Sequence, residues 1–395
     1  MSVQFAGRPV LLAHDRMTAI ANALVVGAGI GGLTAAIALR QQGISVEVVE
    51  VKVDNSVYGV GIIQPNNTLR ALDKIGLARA CVDAGSAFLG WQIFDAVGHL
   101  LMTAPGTNDA APSYPPNNGI ARPHLHKILS DAALGAGASV RFGVTVDTLD
   151  NGRDAVQIGF TDGSRGSYDL VVGCDGLYSN MRKRLFPEAA APRFTGQGVW
   201  RYNLPRPADQ TWGALFNGPA NKVGLVPLSP TMMYMLLVSS EVRNPNFEPD
   251  EMAAEMRQRL EPYGGLIAEL RPLITDSASV VYRPMETHML AAPWMSGRVL
   301  LIGDAAHGST PHLAQGAAMA IEDAVLLGEL MGRDAPLPSL LDEFMSRRFG
   351  RAEFVVNSSA QIGALEMDEW RGVHDADVNP GALLHSATNV LMEPF

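Results

Sequence analysis

From Ala23 to Leu39 the chain runs seventeen residues without a charge, with Gly27, Gly29, Gly31 and Gly32 in the middle of the run. A membrane-spanning helix needs ~20 apolar residues, and a cluster of glycines would weaken it at its centre. A different reading fits the residues better. Ala23-Leu-Val-Val26 is strand-like, the glycines interrupt it, and Leu33 to Arg40 resumes at helical density. Beyond the stop at Gly43, Ile44-Ser-Val-Glu-Val-Val-Glu50 reads as a second strand. Strand, turn, helix and strand make a βαβ unit, which demands a parallel sheet and a right-handed crossover.

The rest of the composition narrows the function classes. At ~150 residues per domain, 395 residues allow two to three domains. A charged fraction of 18% with 47% hydrophobic residues excludes a disordered chain. The net charge of −10 has the wrong sign for a nucleic-acid binder. Two cysteines, Cys81 and Cys174, cannot build a disulfide framework and suit a reducing, cytoplasmic setting. No metal is expected, because neither His307, His312 nor the pair His124 and His126 has companion ligands at metal spacing. In the leader, Met1 to Asn22, the apolar run Pro9 to Ala13 is too short for a secretory signal, so this segment is expected outside the fold.

Two further runs, Tyr168 to Gly173 and Arg298 to Gly303, read as buried parallel strands. Between them the pattern changes. Gly198 to Leu204, Thr211 to Phe216, Val223 to Leu228 and Met232 to Val238 are short strands separated by Pro, Asn and Gly, the mark of an antiparallel sheet. A helical charge pattern covers Asp250 to Leu270, and a long helix is expected from Pro336 to about Leu365, carrying Arg347, Arg348 and Arg351.

Three stretches carry chemistry. Gly27-x-Gly29-x-x-Gly32 follows a strand and opens a helix, and Glu50 ends the next strand eighteen residues after Gly32. That spacing puts pyrophosphate at the helix N-terminus and a ribose on the acid, without distinguishing FAD from NAD. Cys174-Asp175-Gly176, with Ser179 and Arg182 beyond, is either a ligand loop or an ordinary capped turn. Gly303-Asp304, then Pro311 to Ala317 opening a helix at Gly316, offers a second set of free N–H groups. Asp304 and His307 also suit a structural strand-end hydrogen bond.

In this order and spacing, the three stretches resemble the group A flavoprotein monooxygenases. These are the single-component aromatic hydroxylases of the para-hydroxybenzoate hydroxylase superfamily, among them salicylate, hydroxynicotinate and urate hydroxylases. The segment Gly59 to Asn66 followed by Arg70, and Arg122-Pro-His-Leu-His126, strengthen the likeness. The resemblance implies an α/β fold, with a Rossmann-like FAD-binding βαβ domain on a parallel sheet and an antiparallel-sheet substrate domain. Residues 1–80, 110–188 and 277–365 are expected to form the first, 81–109 and 189–276 the second, and 366–395 a tail without a role. It implies FAD as cofactor, NADH or NADPH as reductant, O2 as oxygen donor, and hydroxylation of a small phenol-like aromatic or N-heteroaromatic ring. Homodimerisation is left open.

By the same resemblance Gly27, Gly29, Gly32, Glu50, Gly61, Arg122, Asp175, Asp304, Pro311, Gly316 and Ala317 are candidates to hold FAD. Tyr234, His312 and Gln64 are the candidates facing the substrate. Strand parity puts Met232, Tyr234 and Leu236 on one face. Lys222 starts the preceding strand, where the urate-type site has an arginine, although a surface lysine is the better reading of it. Trp212, Phe216 and Leu225 are expected to wall the pocket. Rival readings remain: Baeyer–Villiger oxidation or epoxidation, a flavin sensor without turnover, and a halogenase suggested by Trp200-Arg-Tyr-Asn-Leu-Pro205.

Overall fold

The computed structural model describes residues 20–55, 59–241, 243–373 and 380–395. The leader up to residue 19 and part of the tail lie outside them. The uncharged run is the strand Asn22–Val26, a glycine turn and the helix Ile30–Gln41. That strand sits inside a six-stranded sheet, paired in parallel with Ser45–Glu50 on one side and Leu170–Gly173 on the other. Ser139–Phe142 and Val299–Leu301 extend the parallel sheet outward. Helices and the three-stranded antiparallel sheet Val146–Asn151, Val156–Phe160, Arg165–Tyr168 pack into its core, so its central strands carry no polar alternation: Leu24, Val25, Val171, Val172 and Leu300 are all fully buried.

A seven-stranded, mostly antiparallel sheet forms the second half, in the order Val281–Thr287, Arg193–Pro205, Met232–Ser240, Asn221–Pro227, Gly213–Asn217, Gly90–Asp95, Leu100–Pro105. The strand Val281–Thr287 belongs here, although the sequence reading grouped it with the nucleotide-binding segments. The expected helix over Asp250 to Leu270 divides into Met252–Arg259 and Gly265–Leu270 around a glycine pair, Gly265 having φ +52°. These two helices bury the back of the sheet, where Met233, Met235 and Leu237 pack against Met256, Leu260 and Ile267. The front carries Tyr234 and Leu236, as strand parity predicts, and meets the strand Gly61–Pro65.

The long helix runs Leu337–Trp370, five residues past the expected end. It starts in the parallel-sheet core at Leu340, Leu341 and Phe344 and finishes on the front of the antiparallel sheet, Trp370 packing on Val199, Val238 and Met285. Among the described residues no helix is long and apolar enough to cross a membrane.

Candidate functional site

The three chemical stretches converge. Gly27 has φ +107°, and a Cβ there would stand 2.6 Å from the carbonyl oxygen of Cys174, so the first turn and the Asp-Gly loop touch at backbone level. At Gly32 a Cβ would meet the Gly27 carbonyl at 1.9 Å, whereas at Gly29 nothing lies within 4 Å. The outer two glycines therefore close the turn and the middle one leaves open the approach to the helix N-terminus. A Cβ at Gly31 would touch the side chain of Ala320, on the helix Gly316–Met331 that follows the third stretch.

Next to the open glycine is a cavity of about 170 Å³ lined by Ala28, Gly29, Ile30, Glu50, Arg122 and His126, among others. Glu50 accepts from the N–H groups of Ala28 at 2.8 Å and Lys52 at 3.0 Å, which points its carboxylate along the rim. The His126 Nε2 lies 2.8 Å from the Ala28 carbonyl. The cradle fits the ADP half of a dinucleotide: an open helix N-terminus, an acid for the ribose, and room between them.

Asp175 accepts from the Ser179 hydroxyl and from the Met181 N–H at 2.9 Å, while Ser179 caps the helix Asn180–Leu185. Its carboxylate is thus committed to its own turn, as the capped-turn reading had it. The Asp304 side chain is accessible from the cleft, and the desolvating protein around it raises its carboxyl against the opposing pull of His307 and Arg122. It does not bond His307, contrary to the structural pairing considered from sequence. The His307 Nε2 donates instead to Asp323 at 2.7 Å, and the same Oδ2 takes the Gly303 N–H at 2.9 Å. The other oxygen of Asp323 takes Arg348 at 2.7 Å, and Glu322 binds Arg348 and Arg351. This buried cluster fixes the Gly303 turn to the helices Gly316–Met331 and Leu337–Trp370. Between that turn and the helix Gly316–Met331, Ala314 sits at φ +54°, a left-handed residue in the loop that carries the free amides.

The front of the antiparallel sheet closes over this loop. A Cβ on Gly61 would meet the Tyr234 ring at 2.4 Å, so glycine lets the strand Gly61–Pro65 lie on the tyrosine. Register puts Asn203 opposite Tyr234 and Arg201 opposite Leu236, so Arg201 shares the front face. Among the described residues the charged or ionisable groups facing its guanidinium are Tyr234, Arg122 and Arg283, with no acid among them, and burial lowers its pKa. Burial pushes the Tyr234 hydroxyl up to about 12, opposed by Arg201 and Arg122. An unpaired guanidinium and a protonated phenol thus face the side of the cleft where Arg122 stands. Sequence reasoning recorded Arg201 only as part of a strand signature; its place opposite Leu236 is set by the pairing of two distant strands, which no local pattern shows.

Several expected residues point elsewhere. Gln64 lies on the opposite face of its strand from Gly61 and Ile63, and accepts from Asn118 at 2.8 Å beside Cys81, so it does not face Tyr234. Leu225 pairs with Met235 and Phe216 with Val223, which places both on the back of the sheet rather than on the pocket wall. Trp212 precedes the strand Gly213–Asn217 and is half-buried. Trp200 is fully buried on the back too, donating to Ser239 at 3.0 Å, so the halogenase resemblance has no tryptophan in the cleft.

His312 is beside the cleft but not free. Its side chain is 1% exposed, with Nδ1 2.8 Å from the Thr310 hydroxyl and Nε2 3.2 Å from Oε2 of Glu366. Glu366 also pairs with Lys222 and accepts from Gln197 at 3.2 Å. Lys222 is therefore no solvated surface lysine. The segment expected to be a roleless tail supplies the carboxylate at its centre. Gly363 allows the approach, since a Cβ there would lie 2.7 Å from Gln197 and 2.8 Å from His312.

The profile of the FAD binding domain family matches residues 21–359. The putative FAD-dependent monooxygenase YetM of Bacillus subtilis is 32% identical over 343 residues, 86% of this chain and 92% of that protein. The 2-heptyl-3-hydroxy-4(1H)-quinolone synthase of Pseudomonas aeruginosa is 33% identical, with 87% and 88% covered. In fold, the chain is similar to Klebsiella pneumoniae HpxO complexed with FAD and uric acid, with a TM-score of 0.79 at 24% identity over 94% of this chain and 93% of that one.

Proposed function

Because this chain belongs to the FAD binding domain family and is an FAD-dependent monooxygenase, we propose that it hydroxylates a small aromatic or N-heteroaromatic compound whose ring oxygen is held by Tyr234 and Arg201. The reading rests on one observation: a guanidinium with no acid facing it among the described residues, beside a tyrosine, both on the sheet face turned to the glycine loops. A quinolone synthase among the relatives and uric acid in a structure of the same fold point to the same class of ring.

The residues that would hold FAD are the turn Gly27 to Gly32 with Glu50 for its ADP half, and Asp304 with the Pro311 to Ala317 loop for the remainder. The chemistry that bound FAD would supply is hydride acceptance from NADH or NADPH and oxygen transfer. The protein's own groups do the rest. With its pKa raised, the Tyr234 hydroxyl stays protonated at neutral pH and donates to a ring oxygen. Arg201 stabilises negative charge on that oxygen, which makes the ring more electron-rich. The glycine-packed strand Gly61–Pro65, lying on the Tyr234 ring, excludes water from that side.

The test is NADH and NADPH oxidation by the purified yellow protein with and without a panel of hydroxybenzoates, hydroxyquinolines, hydroxypyridines and purines, under ¹⁸O2. A ring compound that stimulates oxidation and gains one labelled oxygen supports the assignment. Stimulation by none, with no labelled product, overturns it. A labelled lactone or epoxide would instead assign the Baeyer–Villiger or epoxidase outcome.

A further inference from the structure

Lys222 lies on the front face, four residues along its strand from Val226, which is opposite Tyr234. At ~3.3 Å per residue that is about 13 Å, so Tyr234 with Arg201 and Lys222 mark two ends of one cleft wall. The ends differ in charge. Arg201 has no acid facing it, whereas Lys222 is tied to Glu366, which also touches His312 and Gln197. Lys222 and Glu366 keep 19% and 14% of their side-chain surface, so both border accessible space. Burial pushes the Glu366 carboxyl up, but Lys222 and His312 outweigh it and hold it at about 2, so it is ionised at neutral pH.

Resting on the ring-hydroxylase reading above, we infer that Glu366 sets substrate selectivity: by neutralising Lys222 it makes this end of the cleft accept rings with a neutral substituent and reject carboxylates. A lysine alone would attract an anionic group. A lysine whose charge is cancelled by a carboxylate in the same wall offers an incoming carboxylate no net attraction and exposes it to a like charge. The cancelling residue comes from the last two turns of the helix Leu337–Trp370, 144 residues from Lys222, and Gly363 brings it in.

The experiment compares 4-hydroxybenzoate with its neutral isostere 4-hydroxybenzamide on the holoprotein, reading dissociation constants from the flavin absorbance change. Wild type is expected to prefer the amide by about tenfold or more, the effect of one screened like charge nearby. Glu366→Gln preserves shape and should abolish or reverse the preference. Lys222→Gln, which leaves the carboxylate uncompensated, should widen it. Opposite shifts from two neighbouring variants cannot come from general loosening. If both compounds bind and neither variant moves the ratio, or if wild type prefers the carboxylate, the selectivity role falls while the ring-hydroxylase reading stands. If no panel compound binds any of the three proteins, both fall together.

Discussion

Asp323→Asn keeps the volume of the side chain and removes its charge, so no cavity term enters. The residue accepts from Gly303, His307 and Arg348, and all of its partners belong to the frame of the Gly303 turn. Burial pushes its carboxyl up, yet His307 and Arg348 prevail and hold it at about 2 against an ordinary 3.8. A shift of that size corresponds to about 2–3 kcal/mol of folding free energy. A second route gives a similar figure. Removing one member of a buried ion pair costs ~3–5 kcal/mol, and the lower end applies because Glu322 still neutralises Arg348 at 2.7 Å. The variant should therefore lose about 3 kcal/mol in urea unfolding at pH 7. The pH dependence gives a second check. A carboxyl depressed in the fold stabilises fully above its unfolded value and loses that contribution as pH falls through its folded value. Wild type should thus shed this stability between about pH 4 and pH 2, while the variant shows no such component. A change below ~0.5 kcal/mol at pH 7, or an acid limb identical to wild type, would refute the electrostatic account of this turn.

Gly32→Ala places a methyl 1.9 Å from the Gly27 carbonyl and should reduce bound FAD in the purified protein to near zero, measured by absorbance at the flavin band; full occupancy would show that the turn is not the cradle. Tyr234→Phe should retain FAD and lower kcat/KM for the ring substrate by about tenfold, the value of one hydrogen bond of ~1–1.5 kcal/mol; unchanged kinetics would remove Tyr234 from the site. Ala314→Gly relieves a left-handed alanine at φ +54° and should raise unfolding stability by about 1 kcal/mol, an unchanged midpoint counting against strain in this loop.

What could be read from the residues, and what could not, follows from the range of each signal. The turn Gly27 to Gly32, Glu50 and the Gly303 loop act through backbone needs a few residues long, so their spacing exposes them. Tyr234 was placed on its face by parity alone, because Met232, Tyr234 and Leu236 alternate within one strand. Phe216 and Leu225 were misplaced because their own stretches of strand are apolar on both faces: helices cover the back and Val226 and Leu228 lie on the front, so local alternation cannot say which face is the cleft. Gln64 failed for a related reason, since parity within its strand is plain but its phase relative to Tyr234 is set only by the pairing of distant segments. Glu366 left no local sign at all. Its meaning depends on Lys222, His312 and Gln197, which come from three other elements.

The helix Leu337–Trp370 has 34 residues and so is about 50 Å long. Its first turns are rooted under the parallel sheet and its last turns rest on the antiparallel one. A continuous rod anchored at both ends works as a strut: swinging one sheet away from the other would require it to bend or to tear off one footing. Opening of the cleft by a hinge between the sheets is thereby mechanically resisted. Its depth at the Lys222 end becomes a dimension adjustable from the strut's tip, where Glu366, Met367 and Trp370 can be exchanged without disturbing the dinucleotide cradle at the far end.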